Sequence, residues 1–461
     1  MKLLEPFLLK FERPDWARNP AFGLLDTILD AHPELLEIVA ADVTRGGKAS
    51  EFGRQDMPSV EQIMRAAIFK AFKGLEYREL EEAQIDSRIC AQFTKIDPER
   101  PYSFQVFQKY ISKISAEHLE ALMHGVVKVA IGEGLEDVGS LRQDSTVVET
   151  NIHYPTNNSL VWDCVKESQR LLAHLREEIE SLDFRDYTKG AKRTYFKLNN
   201  TKSADKRADL FKKQLATFTQ CINQVANVVK KKPGYDALCS ANPQGGVIAS
   251  SLFAELERLL PVMRRVHSMT LRKEINGENV PNSDKIFSIY EQHTDLIVKG
   301  ARDVTFGHKV QLSSGRSGLL LSCDILKGNP SDATQFQGTL DRVISTYGIT
   351  PRDSATDGGY ASLANLEHAK SKGIMNIVFN KIVGSLKNLA TSQNMETRLK
   401  KWRSGMEAVI SNLKRGFGLS RCDWKGWEHF KQKVLWSAIA YNLRVMTARF
   451  LMQARLKLQK A

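Results

Sequence analysis

Two aspartates lie in sequence contexts that favour a catalytic or metal-binding carboxylate. Asp144 lies in a run of residues typical of a β-strand. Asp357 is followed by Gly358 and Gly359, which let the backbone turn sharply beside the carboxylate. Carboxylate oxygens are the ligands that Mg²⁺ prefers in proteins, so both aspartates are candidate metal ligands.

A third carboxylate, Glu407, lies on a predicted helix between two cations. Arg403 is four residues before it and Lys414 seven residues after it. At 100° per residue, the two cations lie roughly 40° and 20° from Glu407 around the helix, so all three share one narrow stripe. The carboxylate could hold a metal while the cations neutralise phosphates, although an ordinary surface ion pair fits the same spacing. Apolar residues on the adjacent face would bury it against the protein: Leu399, Met406, Ile410 and Leu413.

Motifs of several other enzyme classes are absent from the sequence. It contains no GxxxxGK, GxGxxG, HExxH or GxSxG motif, and its histidines show no metal-ligand spacing. ATP-driven motors, dinucleotide oxidoreductases, zincins and serine hydrolases therefore lose their usual support, and carboxylates remain as the candidate chemistry. The cysteines are scattered without a CxxC pair, which predicts reduced thiols and not a disulfide framework: Cys90, Cys164, Cys221, Cys239, Cys323 and Cys422.

The positive charge of the chain is clustered. Its 461 residues include 66 Lys and Arg against 53 Asp and Glu, a net charge of +13. One basic tract spans 189–232 and a second spans 398–455, both interleaved with aromatic residues. Such tracts fit a partner with a long phosphate backbone, although a solvated helix face can also carry them. The candidate contact residues of the first tract are Lys206, Arg207, Lys212 and Lys213.

The elements that must position these residues begin with a helical region, 1–137. Ser59 and Gln62 form a capping box, and Gly74 marks the end of the helix that follows. Further helices are predicted after Ser103 and Ser115. One face of the helix after Ser103 carries polar residues that suit major-groove reading or, equally, the solvent side of a bundle: Gln105, Gln108, Lys109 and Lys113.

Strands are predicted on both sides of a long helical block. The segment 138–155 reads as a strand pair, the stretch from about Trp162 to about Lys299 as helical, and 306–326 as a hairpin. A helix from Ala333 to Tyr347, a buried strand within 373–384 and helices from about Met395 onwards follow. This order favours one α/β domain that hosts a helical insertion. No stretch approaches the roughly 20 apolar residues of a membrane span, and a secretory signal is not expected.

The motifs around the three carboxylates resemble those of bacterial insertion-sequence DDE transposases. Arg403-x3-Glu407-x6-Lys414 matches the Arg-x3-Glu-x6-Lys part of the family signature. The family pattern has a Tyr three residues before the Arg, where this chain has Lys400. Other segments that resemble the family follow one another in the family's order: 74–80, 144–146, 154–156, 307–309, 357–360 and 438–443.

The resemblance implies a fold and a division of the chain. The fold would be an RNase H-like α/β catalytic domain with a large helical insertion, preceded by an all-α DNA-binding region. The helical DNA-binding domain would span 1–137 and the first strands of the catalytic domain 138–155. The basic insertion would span 156–300, and 301–461 would complete the catalytic domain and add the C-terminal helices.

The resemblance also implies a reaction and its residues. Asp144, Asp357 and Glu407 would be catalytic and would bind two Mg²⁺ (or Mn²⁺) ions, while Arg403 and Lys414 would hold DNA phosphates. The protein would bind the inverted repeats at the ends of its element, cleave there, and join the 3′-hydroxyl to target DNA. A homodimer or higher oligomer on DNA and a cytoplasmic, nucleoid-associated location would follow.

Two alternatives share these sequence features. One is a domesticated DNA-binding protein that keeps the fold without the chemistry, and the retained carboxylates count against it. The other is an RNase H-like nuclease without strand transfer, which the sequence does not separate from a transposase.

Overall fold

The computed structural model describes residues 14–44, 57–233, 243–299, 303–382 and 384–459. Two compact units divide the chain: unit 1 comprises 1–151 and 297–461, and unit 2 comprises 152–296. The N-terminal helices and most of the β-structure thus share unit 1. The described cysteines are free thiols, as the sequence predicts, and Cys239 lies outside the described residues.

The first described part of unit 1 is helical. The capping box predicted at Ser59 and Gln62 is confirmed, and Gly74 ends the same helix with a positive φ of 70°. The helices predicted to start after Ser103 and Ser115 are confirmed as well. The helices are α1 (Pro14–Arg18), α2 (Pro20–Ala31), α3 (Glu34–Thr44), α4 (Val60–Lys73), α5 (Tyr77–Asp86), α6 (Arg88–Thr94), α7 (Phe104–Ile111) and α8 (Ala116–Gly132).

A buried ion network holds α4 against α2. The guanidinium of Arg65 on α4 is fully buried and donates to Asp26, Asp30 and Glu61 at 2.7 to 2.8 Å. Because a buried charge is costly unless its partners surround it, this network fixes how the two helices pack.

Among the described residues, seven strands form one mixed sheet in the order β2-β3-β1-β5-β6, with β4 on β3 and β7 on β1. The hairpin predicted at 306–326 is confirmed as β3 and β4, which pair antiparallel. The strands are β1 (Ser140–Thr150), β2 (Asp295–Lys299), β3 (Asp303–Ser314), β4 (Leu320–Ile325), β5 (Asp353–Asp357), β6 (Asn376–Asn380) and β7 (Arg421–Cys422).

The strand pair predicted at 138–155 is wrong, because this segment forms the single strand β1. Its partners are remote in sequence: β3 lies antiparallel to it, and β5 and β7 lie parallel. The segment is flanked by other strands, so its backbone groups need no local hairpin partner. The predicted helical stretch to about Lys299 is also too long, since its last residues form β2.

Helices cover the sheet, and the side chains of its strands alternate between two cores. Leu320 of β4 packs with the N-terminal helices, whereas its neighbour Leu321 packs in a second cluster with Phe336 and Phe379. This period of two is the geometry of a strand buried on both faces. The helices that follow the first strands are α13 (Asp332–Tyr347), α14 (Leu363–Ser371), α15 (Gln393–Gly416) and α16 (Trp427–Leu458).

Unit 2 has its own helical core. The fully buried residues Leu172, Phe218 and Phe253 lie in one apolar cluster. The helices of this unit are α9 (Asn157–Glu178), α10 (Thr188–Asn200), α11 (Ala204–Lys230) and α12 (Pro243–Thr270). None of the helices within the described ranges is both long and apolar enough to cross a membrane.

Candidate active site

Two of the three candidate carboxylates lie on neighbouring strands. β1 and β5 are parallel, and Gln143 is opposite Thr356 in their register. Asp144 and Asp357 are the next residues on their strands. Asp357 ends β5, and the chain then turns through Gly358 and Gly359. The register of the two strands therefore sets both aspartates at the same level of the sheet.

The third carboxylate is brought to the sheet by α15, which Arg142 fixes to β1. The Arg142 guanidinium donates to the Trp402 carbonyl of α15 at 2.8 Å and to the Ser314 hydroxyl at 2.7 Å. A Cβ atom on Gly405 would stand 2.5 Å from Nη1 of Arg142. Gly405 therefore leaves room for the contact that sets the position of α15, and with it the position of Glu407.

A single guanidinium joins the three carboxylates. Arg403 contacts Asp144 at 2.9 Å, Glu407 at 3.1 Å and Asp357 at 3.7 Å. Its side chain is 8% exposed, whereas exposure of the acids rises from 18% for Asp144 to 44% for Asp357 and 69% for Glu407. The result is an acidic centre with one buried wall and one side open to solvent.

The carboxylate of Asp144 has an unusual electrostatic setting. Burial raises its pKa, and the negative charges of Asp357 and Asp332 add to the rise. The Arg403 guanidinium and the Ser145 amide, which donates to Oδ1 at 2.8 Å, oppose it. A further positive charge beside Asp144 would stabilise the ionised form of its carboxylate and lower its pKa.

Asp332, which sequence reasoning missed, is a fourth acid at this centre. It is the first residue of α13 and accepts a hydrogen bond from the Ser145 hydroxyl at 2.9 Å. The buried ammonium of Lys309 on β3 lies 2.6 Å from the same carboxylate. Lys309 falls in the family-like segment 307–309, but Asp332 had no spacing relation to the other acids, so only the packing of α13 reveals it.

Carboxylates are the residues that could hold a metal ion here. In the described part of the chain, no group of three or more His, Cys, Asp or Glu residues has the arrangement to hold one. In this structure Arg403, with its positive charge, stands between the acids instead. The donor set consists of hard oxygen atoms, which suits Mg²⁺ or Mn²⁺ and does not suit a soft thiophilic metal.

Residues predicted to contact DNA lie on or next to three helices, α7, α11 and α15. Lys414 is half-buried near the end of α15, whereas Arg403 lies inside the acidic centre. On α7, Gln105, Gln108 and Lys109 are exposed, and the Lys113 ammonium lies beyond the helix, over the Tyr110 ring.

In unit 2, the four predicted contact residues differ in setting. Lys206, Lys212 and Lys213 are exposed on α11. The Arg207 guanidinium instead donates to the carbonyls of Leu198 and Thr201 at 2.8 and 3.1 Å. Arg207 thus caps the end of α10, and its hydrogen bonds are used within the fold.

The fold and the site together define an α/β protein with an acidic centre built from two strands and a helix. Residues 301–443 match the transposase DDE domain family, a segment that includes Asp357, Arg403, Glu407 and Lys414. This match confirms the resemblance to insertion-sequence DDE transposases, and a DDE domain implies an RNase H-like fold. No curated protein and no solved structure matches the chain.

Asp144 precedes the matched segment, and strand pairing and the Arg403 contact relate it to that segment. The match begins at residue 301, whereas β1 ends at Thr150. Unit 2 is the part of the chain that separates them. The matched segment thus contains two of the three carboxylates, and the contact of Arg403 with Asp144 brings the third beside them.

Proposed function

We propose that the protein is a DNA transposase that cleaves at the ends of its own element and joins the freed 3′-hydroxyl to target DNA. The observation that carries the proposal is the meeting of Asp144, Asp357 and Glu407 at one guanidinium. Three elements that are distant in sequence contribute these acids. A structural salt bridge needs one acid, so three acids with one open side favour a reaction centre.

Asp144, Asp357 and Glu407 would hold two divalent cations, Mg²⁺ or Mn²⁺. When bound, such ions supply electrostatic stabilisation of the attacking and leaving oxygens in a phosphoryl displacement. The open side at Glu407 leaves room for a phosphodiester, and the nearly buried Asp144 holds the inner wall. The reaction exchanges one phosphodiester for another, so it needs no nucleotide cofactor.

The cations of the chain would place the DNA strand at this centre. Arg403 and Lys414, on the stripe of α15 that carries Glu407, would neutralise backbone phosphates next to the scissile bond. With metal ions bound between the carboxylates, Arg403 would no longer be needed to neutralise them and could contact a phosphate. Lys206, Lys212 and Lys213, with the exposed face of α7, would bind DNA outside the centre. Synapsis of two element ends would require a dimer or a higher oligomer.

The test is cleavage and joining with the DNA that flanks the gene, Mg²⁺ and a target plasmid. Asp144→Asn, Asp357→Asn and Glu407→Gln should each abolish product while DNA binding, measured in EDTA, persists. Glu396→Gln is the matched control. It also removes a carboxylate from α15, but this carboxylate pairs with Lys400 and lies outside the acidic centre. Full cleavage by any one of the three variants would remove that residue from the centre.

The products separate the proposed function from its rivals. Joined products indicate a transposase, and cleaved products without joining indicate a nuclease. DNA binding with neither product, under conditions in which the protein is folded, indicates a non-catalytic DNA-binding protein.

A further inference from the structure

A cavity of about 420 Å³ lies in unit 1, away from the acidic centre. Its walls come from the end of α4, the end of α15, the segment around β7 and the start of α16. None of the residues of the acidic centre lines this cavity. The polar side chains that matter for its chemistry are Lys70, Arg415, Arg421, Lys433 and Trp436.

These side chains are hydrogen-bond donors. Four carry positive charge, and the acids that line the same cavity are Glu76 and Asp423. The indole of Trp436 is 4% exposed, and its N–H has no acceptor within the described residues. A buried donor without a partner is costly, so the cavity favours a ligand that accepts hydrogen bonds.

Lys70 is the innermost of the cations. Its residue is 7% exposed, and its ammonium lies 4.6 Å from the ring centre of Tyr77 and 5.6 Å from that of Trp424. Burial lowers the pKa of Lys70 and the charge of Lys433 adds to the lowering, while the acids Glu76, Asp423 and Glu79 oppose it. In the described ranges, no ion pair involves Lys70 or Lys433. An anion in the cavity would stabilise both ammonium groups.

We propose that this cavity binds a phosphate group a few nucleotides along the DNA strand whose scissile phosphate lies at the acidic centre. The inference rests on the proposed function and adds a second phosphate-binding site for the same DNA strand. Arg415 follows Glu407 by eight residues on α15, which is about 12 Å along the helix axis. Successive phosphates of one strand advance about 3.4 Å along a duplex, so the bound phosphate lies about three to four steps from the scissile bond.

The experiment measures how the affinity for a fluorescently labelled duplex depends on salt, in EDTA so that no cleavage occurs. Lys433→Gln and Lys70→Met should each weaken binding and reduce the slope of log K against log salt by about 0.9, the value for one lost phosphate contact. Lys431→Gln is the matched control, because Lys431 lies two residues away on α16 and pairs with Glu428. Lys433 is half-exposed, so its variant tests the site even if Lys70→Met does not fold.

A second arm uses phosphate ethylation interference with the Asp144→Asn protein. Ethylation three to four steps from the cleavage site should block binding of this protein but not of its Lys433→Gln derivative. If DNA binds and neither variant changes the slope, the cavity does not hold a DNA phosphate. If deoxyadenosine monophosphate binds the cavity without competing with DNA, the ligand is a free nucleotide and the inference is overturned. Absence of any DNA binding would instead contradict the proposed function.

Discussion

At the scale of single residues, the centre depends on how one positive charge is shared by several negative ones. Arg403 contacts Asp144, Asp357 and Glu407 together, and it is nearly buried while doing so. Without that charge, the acids would repel one another in a partly buried site. Arg403 therefore stabilises the metal-free fold, in addition to any contact with DNA.

We predict that Arg403→Gln lowers the free energy of unfolding by about 1.5–3 kcal/mol in EDTA, the range for a hydrogen bond to a charged group. Millimolar Mg²⁺ should restore much of the loss, since bound cations would replace the missing charge. Urea denaturation with and without Mg²⁺ measures both values. Lys401 is an exposed neighbour on α15, so Lys401→Gln should leave the free energy of unfolding unchanged with and without Mg²⁺. An equal loss in both buffers would contradict the prediction.

Asp332 should act on the acidic centre through its charge. Its carboxylate raises the pKa of Asp144, so Asp332→Asn should lower that pKa. A carboxylate binds cations only when it is ionised, so with Asp144 as a proposed ligand the acidic limb of Mn²⁺ binding should move to lower pH in the variant. Isothermal titration across a pH series measures the limb.

The control for Asp332 is Asp341→Asn on the same helix, where the carboxylate pairs with His368 and Lys372. This variant should leave the acidic limb where it is. A limb that stays in place in Asp332→Asn, or moves to higher pH, would show that Asp332 only anchors α13.

At the scale of elements, the turn after β5 decides where Asp357 stands. A Cβ atom on Gly358 would lie 2.4 Å from the Lys381 carbonyl oxygen and 2.7 Å from that of Asn380. Both contacts are with backbone, so the chain itself would have to move. A Cβ atom on Gly359 would come no closer than 3.4 Å to a neighbouring atom, Oδ2 of Asp332.

Gly358→Ala should therefore cost about 1–3 kcal/mol of stability, as overpacked sites do, and should reduce cleavage by more than tenfold because Asp357 is displaced. Gly359→Ala should keep most of both. Thermal denaturation and the cleavage assay measure the pair. Equal behaviour of the two alanine variants would show that the turn does not control the position of Asp357.

At the scale of the whole molecule, unit 2 is a separate compact body with its own apolar core. A fragment of residues 152–296 should fold alone and unfold in one cooperative transition, because its buried residues pack with one another. It should bind duplex DNA without cleaving it. Circular dichroism with heating, and anisotropy against salt, test these two properties.

Charge reversal of Lys206, Lys212 and Lys213 in this fragment should weaken DNA binding and flatten its salt dependence without changing its melting temperature. Phe218→Ala provides the contrast, because it removes a fully buried ring and should lower the melting temperature. An unchanged salt slope after charge reversal would place the DNA contacts elsewhere.

The sequence by itself determined the local features of this protein. The capping box at Ser59, the helix stop at Gly74 and the hairpin at 306–326 depend on neighbouring residues, so their spacing is visible in the chain. The stripe of Arg403 and Glu407 on α15 was equally visible, because helix geometry relates residues four apart. The family-like motifs predicted a resemblance to insertion-sequence DDE transposases, and the match at 301–443 confirms that resemblance.

The tertiary structure alone decided which of these residues meet. Asp144 and Asp357 are level because β1 pairs with β5, a strand about 200 residues later, and no local pattern encodes that pairing. The same cause made 138–155 a single strand, gave Arg403 three partners instead of one, and placed Asp332 beside Ser145. Side-chain types and short spacings come from the sequence, whereas long-range contacts come from packing that buries apolar surface and satisfies backbone hydrogen bonds.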